Sequence, residues 1–179
     1  MPVYITAFFI MVLFYMMPTQ FPYLIINQLH GEPKTIGFII ATAMVFNAIA
    51  AKQYAKIKAK LGFIQIYAIT FALFASGLYF IAFAKSVTIL FVTTIPIGIG
   101  FGLLLINTNA WFLSLVPPHK RGKASGILTS SLFLGQFSSP IIFEPIVSNF
   151  GIQNLFLFVA ILSTLIALTL FIKTTKNPL

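Results

Sequence analysis

Six long stretches without a charged side chain take up nearly the whole sequence, and short lysine-bearing segments connect them. The stretches are residues 1–29, 35–51, 61–84, 86–118, 124–143 and 145–172. A helix needs about 20 mostly apolar residues, and at least about 17, to cross the hydrocarbon core of a bilayer. A soluble domain of this size has no interior that would hide six such segments. The chain is therefore predicted to be an all-α membrane protein surrounded by a lipid bilayer.

The predicted architecture is a single domain, residues 1–179, with six transmembrane helices. They are expected at about residues 3–27, 35–53, 63–83, 87–116, 123–146 and 152–172. Basic residues concentrate in cytoplasmic loops. Most of the 11 basic residues fall in segments that would face one side, namely Lys52, Lys56, Lys58, Lys60, Lys120, Arg121, Lys123, Lys173 and Lys176. This asymmetry predicts that both termini are cytoplasmic.

The net charge of +9 would by itself suggest a nucleic-acid partner. The basic residues lie beside predicted spanning helices, where they set the orientation of the chain in the membrane. No nucleic-acid partner is therefore expected. The preference for lysine over arginine and the short loops favour a multi-pass protein of a bacterial inner membrane.

The sequence lacks the residue patterns of an enzyme or a metal site. There is no cysteine, and His30 and His119 fall in predicted loops without further ligands at useful spacing. No nucleophile elbow, phosphate loop or dinucleotide fingerprint occurs. No catalytic residue, metal or cofactor is therefore expected.

Small residues and prolines interrupt the fourth and fifth predicted helices. Gly98 and Gly102 form a GxxxG pair that would let a neighbouring helix approach closely. Gly126, Gly135 and Pro140 in the fifth helix would permit close packing and a bend. These five residues are the candidates for helix packing and gating.

Polar residues within the predicted spans are candidates for a solute path. Tyr15 and Gln20 in the first helix and Asn107 in the fourth are the leading candidates, with hydrogen bonding between helices as the open alternative. Asn47 and Asn109 are interpreted as interhelical hydrogen-bonding residues. Glu144 is the only acid close to a span, and its position predicts a solvated residue at the outer surface.

The run PPHKRGKASGILTSSLFLGQFSSP, residues 117–140, resembles a segment near the end of transporters of the major facilitator superfamily. Matching residues are Pro117, Arg121, Gly122, Ala124, Gly126, Gly135, Gln136, Phe137 and Pro140. The spacing of the glycines and of Ser139-Pro140 resembles the antiporter motif of that superfamily, although a serine replaces one glycine and the closing Gly-Gly pair is absent.

A second, partial match lies between the second and third predicted helices, in the run AKIKAKLGF. Lys60 and Gly62 occupy positions of the superfamily's basic loop, whereas Ala55 and Ala59 replace its first glycine and its acid. Together with Arg121 and Gly122, these residues are candidates for a cytoplasmic gate, or for contacts with anionic lipid. A cation at the start of the fifth helix opposes that helix's dipole, so Arg121 is expected to bond carbonyls or acids elsewhere.

The chain is thus similar to the carboxy-terminal half of a facilitator of the efflux branch, a six-helix bundle of two inverted three-helix units. The resemblance implies secondary transport of a small organic solute, with efflux and proton coupling. It also implies a second six-helix half as partner, either a missing amino-terminal half or another copy. Because no carboxylate falls at mid-membrane, the titrating residue would belong to that partner. A truncated or non-transporting membrane interaction protein is the alternative, and a channel ranks third.

Overall fold

The computed structural model describes residues 2–176, all but a few of which lie in helices. The helices are α1 (Pro2–Tyr23), α2 (Pro33–Lys58), α3 (Phe63–Ala82), α4 (Val87–Leu115), α5 (Arg121–Phe150) and α6 (Ile152–Lys176). A π-helical turn, Leu24–Gln28, extends α1, and a 3₁₀ turn, Pro118–Lys120, precedes α5. Within residues 2–176, six helical spans are long and apolar enough to cross a membrane. The predicted all-α, six-helix membrane fold is confirmed.

Several helices extend beyond the predicted hydrophobic spans. α2 continues to Lys58, beyond the predicted end near residue 53, so that Lys56 also belongs to the helix rather than to a loop. α5 begins at Arg121 and runs to Phe150 through Pro140 and Pro145. A count of apolar residues measures the part of a helix in hydrocarbon, whereas backbone hydrogen bonding continues into the interface.

α5 and α6 are joined by a single residue, Gly151. Its φ of 85° is a conformation that residues with a side chain rarely adopt. Its N–H donates to the carbonyl of Val147, with an N to O distance of 2.8 Å. A glycine is therefore required for the chain to reverse direction at this point.

Two of the main helix pairs are related as in two inverted three-helix units. α1 packs against α5, and α2 packs against α4, while α3 contacts both α4 and α6. Exchanging α1 with α4 and α2 with α5 converts the α1–α5 pair into the α4–α2 pair. This relationship is the one that inverted repeats of α1–α3 and α4–α6 produce.

The core lies between α1, α3 and α4 and contains a stack of aromatic rings. The ring of Phe14 stacks on Phe74 with centroids 3.8 Å apart. The ring of Phe101 is roughly parallel to that of Phe14, with centroids 5.7 Å apart. α2 and α5, in contrast, are the least buried of the six spans. These two helices therefore present large apolar surfaces outside the bundle core.

Candidate functional site

A cavity of about 270 Å³ lies between α1, α2 and α4 and reaches α5. Few contacts join α1 to α2 or to α4, so the space between these helices is left open. The apolar part of the lining includes Phe14, Phe21, Met44, Ile97 and Phe101. An apolar cavity with a few polar groups directed into it is the usual form of a small-molecule site.

Four polar side chains, each from a different helix, line the cavity: Tyr15, Asn47, Thr94 and Gln136. Thr94 is satisfied within its own helix, because its Oγ1 donates to the carbonyls of Leu90 at 2.9 Å and Phe91 at 3.1 Å. The Tyr15 hydroxyl and the Asn47 amide form no hydrogen bond among the residues that the structure describes. These groups remain available to water or a solute.

Asn47 is positioned by two glycines of α4. A Cβ added to Gly98 would collide with the backbone carbonyl of Ala43, and one added to Gly102 would collide with that of Asn47. The GxxxG pair therefore lets the backbone of α2 lie directly on α4. This close approach fixes the main chain from which the Asn47 side chain extends.

Gln136 is positioned by an analogous contact between α5 and α1. A Cβ added to Gly135 would meet the backbone of Phe8 and would lie 2.8 Å from Cβ of Met11. One turn further along α5, the hydroxyl of Ser139 donates to the carbonyl of Val12 at 2.8 Å. Nε2 of Gln136 lies 3.7 Å from the sulfur of Met11. The part of the antiporter-like segment from Gly135 to Ser139 thus lies on the face of α5 that packs on α1.

One of the three predicted path residues lines the cavity, and the other two lie elsewhere. Tyr15 lines the cavity, whereas Gln20 is buried elsewhere in the bundle and does not. Asn107 is fully buried between α2, α3 and α4, where its Oδ1 accepts from the Tyr54 hydroxyl at 3.1 Å and its Nδ2 donates to the Phe63 carbonyl at 3.0 Å. Asn107 therefore joins three helices outside the cavity lining.

Two cavity residues, Asn47 and Gln136, were not among the predicted path residues. A single polar residue within a span gives no indication of the direction in which its side chain points. The useful signal was proximity to the glycines, since Gln136 follows Gly135 directly and the α2 backbone at Asn47 packs on Gly102. Only the structure shows which helix each glycine contacts.

The remaining predicted glycines do not pack within the chain. A Cβ added to Gly122 or Gly126 would have no atom within 4 Å, apart from atoms of the adjacent residues and of the same helical turn. Both positions lie on the exposed side of α5, on the opposite side of the helix from Gly135. Any close helix contact at Gly126 therefore involves something other than the described part of this chain.

Two basic residues of the predicted cytoplasmic segments, Arg121 and Lys58, donate to backbone carbonyls near helix ends. Arg121 donates from Nε to the Val116 carbonyl and from Nη2 to the Leu113 carbonyl, both at 3.2 Å. These carbonyls lie at the carboxyl end of α4, where the helix dipole favours a cation. The structure thus confirms that Arg121 bonds carbonyls outside α5.

Residues of the loop before α3 also form contacts with residues close to them in the sequence. The backbone N–H of Gly62 donates to Oε1 of Gln65 at 2.8 Å, which caps α3, and exposed Lys60 follows the end of α2. Lys58 donates to the Leu61 carbonyl at 3.3 Å and lies 4.1 Å from the ring centroid of Phe63. The matched positions of the basic loop therefore shape the turn between α2 and α3.

No charged side chain of residues 3–175 lines the cavity. Glu32 forms an exposed ion pair with Lys34, and Glu144 is exposed on α5. Exposed pairs of this kind contribute little to stability. The cavity is therefore uncharged on the side that this chain provides.

Six helices of spanning length, of which α1, α2, α4 and α5 line an uncharged and largely apolar cavity, define a multi-pass membrane protein. The sequence profile of the Major Facilitator Superfamily matches residues 3–179, so the chain belongs to this superfamily, as its sequence motifs indicated. The curated relatives that match the chain are named as transporters.

Two curated relatives agree with this assignment. The chain is 25% identical over 141 residues to the uncharacterized MFS-type transporter MJ1560 of Methanocaldococcus jannaschii, covering 79% of this chain and 36% of the relative. It is 24% identical over 143 residues to the riboflavin transporter RibZ of Clostridioides difficile, covering 80% of this chain and 31% of the relative. The matched region is thus about a third of the length of each relative.

Proposed function

We propose that this chain forms one six-helix half of a secondary carrier for a small organic solute. The cavity between α1, α2, α4 and α5 would be its part of the solute path. The observation that carries the proposal is the presence of Tyr15, Asn47 and Gln136, from three different helices, in one apolar cavity. Polar groups that converge in an apolar site are suited to orienting a solute.

The proposed mechanism is alternating access, in which one helical bundle rocks against another around a midplane site. The close contacts at Gly98, Gly102 and Gly135 would keep the cavity helices together during this motion. α2 would move with α4, and α5 with α1. The solute site would then be carried as one unit while its opening changes sides.

We place the partner, a second six-helix half, against α2 and α5. These helices carry exposed large apolar residues, among them Met44, Phe133 and Phe137, and Gly126 offers a point of close approach. The two halves of such carriers share one orientation in the membrane. Both an amino-terminal half of the same polypeptide and a second copy of this chain therefore satisfy the geometry.

The proposed direction is efflux across the inner membrane, driven by proton exchange. Support comes from the likeness of Gly126, Gly135 and Pro140 to the antiporter motif. Because no acid lines the cavity, the proposal places the titrating residue in the partner half. Riboflavin, the solute named for the C. difficile relative, belongs to the proposed class of small organic solutes.

A solute screen with inverted membrane vesicles tests this function. Vesicles from the native cells, which supply any partner half, and vesicles from cells that lack this chain are energised, incubated with a soluble cell extract, and analysed by mass spectrometry. We expect at least one small organic compound to accumulate only with the protein, and only under a proton gradient. Correctly inserted protein that changes the content of no compound would contradict the proposal and favour a non-transporting interaction protein.

A further inference from the structure

The Asn47 amide and the Gln136 carbonyl, like the Tyr15 hydroxyl, are polar groups of the cavity that lack a strong partner. Asn47 makes no side-chain hydrogen bond among the described residues, and the one contact of Gln136 is to the Met11 sulfur at 3.7 Å. A thioether is a weak acceptor, and this contact leaves Oε1 of Gln136 unused. Polar groups without partners are unfavourable at membrane depth, which favours a bound group that hydrogen bonds to them.

Part of the cavity wall around these amides is aromatic, and mainly aliphatic and methionine side chains form the rest. Phe101 and Phe14 line the cavity, and Phe14 is held from behind by stacking on Phe74. Aromatic rings prefer offset-stacked or edge-to-face contacts with other rings. A flat, apolar body is therefore a better match for these walls than a flexible polar chain.

Charged groups are distant from both amides. Lys52, the nearest charged residue along α2, is exposed and lies about 7.5 Å further along the helix than Asn47. Glu144 is exposed and lies about 12 Å along α5 from Gln136. An ion placed between the amides would lose its hydration without gaining a counter-charge from this chain.

From these three observations, we infer that Asn47 and Gln136 form a hydrogen-bonding site for an uncharged polar group on an aromatic solute. The inference rests on the proposed carrier function and names the solute class for the same cavity. An amide side chain offers both a donor and an acceptor. The site consequently selects groups such as carboxamides, imides and ring carbonyls over carboxylates and ammonium groups.

Equilibrium binding with a matched set of naphthalene compounds tests this inference. The purified protein in lipid nanodiscs is dialysed against tritiated 1-naphthamide, with 1-naphthoate and 1-naphthylmethylammonium as charged competitors. We expect 1-naphthamide to bind and each charged analogue to bind at least tenfold more weakly. Absence of 1-naphthamide binding, or equal binding of a charged analogue, would overturn the inference.

Three substitutions locate the binding to the two amides. Asn47→Leu and Gln136→Leu should each weaken 1-naphthamide binding about fivefold, the effect of losing one hydrogen bond. Asn109→Leu is the matched control, because exposed Asn109 bonds only to the Leu105 carbonyl of its own helix at 2.9 Å. If both cavity variants bind 1-naphthamide as the wild type does, the site is wrong.

A charge-changing variant gives a result that does not depend on loss of binding. Asn47→Asp keeps the shape of the side chain and should increase the affinity for 1-naphthylmethylammonium about tenfold, and an unchanged affinity would contradict the site. Solute flux without selective amide binding would refute this site but not the carrier function. Selective binding without flux or alternating access would refute the carrier function but not the site.

Discussion

The backbone carbonyl of Asn47 lies directly against the face of Gly102 on which a Cβ would stand. The same residue lines the cavity with its side chain. Asn47 thus packs α2 onto α4 through its main chain while presenting an amide to the cavity. The geometry of the site and the packing of the bundle are consequently coupled at one position.

This contact predicts that Gly102→Ala destabilises the protein. The added methyl group meets backbone atoms, which cannot rotate away, so α2 and α4 must separate. We expect the free energy of unfolding to fall by about 1–3 kcal/mol, as for other overpacked sites. Denaturation of the purified protein by a graded series of sodium dodecyl sulfate concentrations, followed by circular dichroism, measures the change.

Gly122→Ala is the matched control for that experiment. Its Cβ would enter open space within this chain, and the expected change is within about 0.5 kcal/mol. If both variants lower the free energy of unfolding equally, the close contact between Gly102 and Asn47 is not the reason why an alanine at position 102 destabilises the protein.

The contact between α5 and α1 predicts a smaller effect at Ser139. Ser139→Ala removes the hydrogen bond to the Val12 carbonyl, and hydrogen bonds between membrane helices contribute about 0.6 kcal/mol on average. Ser131→Ala is a suitable comparison, because Ser131 bonds only to the Ile127 carbonyl of its own helix. Matching losses of stability in the same denaturation assay would argue against an interhelical role for Ser139.

The position of Asn107 predicts a structural rather than a solute-binding role. Asn107→Leu should destabilise the protein by about 1–3 kcal/mol, because Tyr54 and the Phe63 carbonyl lose their partner in a buried site. Binding of 1-naphthamide to the folded fraction should be unchanged. A variant with normal stability and lost solute binding would instead restore Asn107 to the solute path.

The sequence was sufficient to predict the six helices, because uncharged stretches of spanning length report directly on a hydrocarbon environment. Helix ends were less predictable. Lys52 and Lys56 lie in the helical part of α2, where a charge marks the membrane boundary without ending the helix. The glycine pair at Gly98 and Gly102 also pointed to a close helix contact, but not to α2 as the neighbour.

The cavity residues were harder to predict, since polarity within a span is ambiguous. Asn107 and Asn47 are both asparagines within predicted spans, yet Asn107 bonds to Tyr54 and Phe63 while Asn47 opens into the cavity. The difference depends on which side chain of another helix lies opposite. That information comes from tertiary packing, which the local sequence does not contain.

Glu144 is predicted to have no part in proton coupling. It is exposed on α5 and does not line the cavity. Glu144→Gln should therefore leave the pH dependence of transport intact, measured as solute flux into inverted vesicles between acidic and neutral pH. Loss of that dependence would place the coupling group in this chain instead of the partner half.

The central claim, that the cavity is an alternating solute path, is tested most directly by a single cysteine within it. The chain has no cysteine of its own, and Ala43 lines the cavity with a partly exposed side chain. The Ala43→Cys variant is treated with a membrane-impermeant maleimide, which is added outside right-side-out vesicles in one experiment and outside inverted vesicles in the other. The two experiments test access from the two sides of the membrane. We predict that the maleimide modifies the introduced cysteine from both sides of the membrane. Adding a transported solute should change the ratio of the two modification rates. Modification from one side only, under all conditions, would contradict the account.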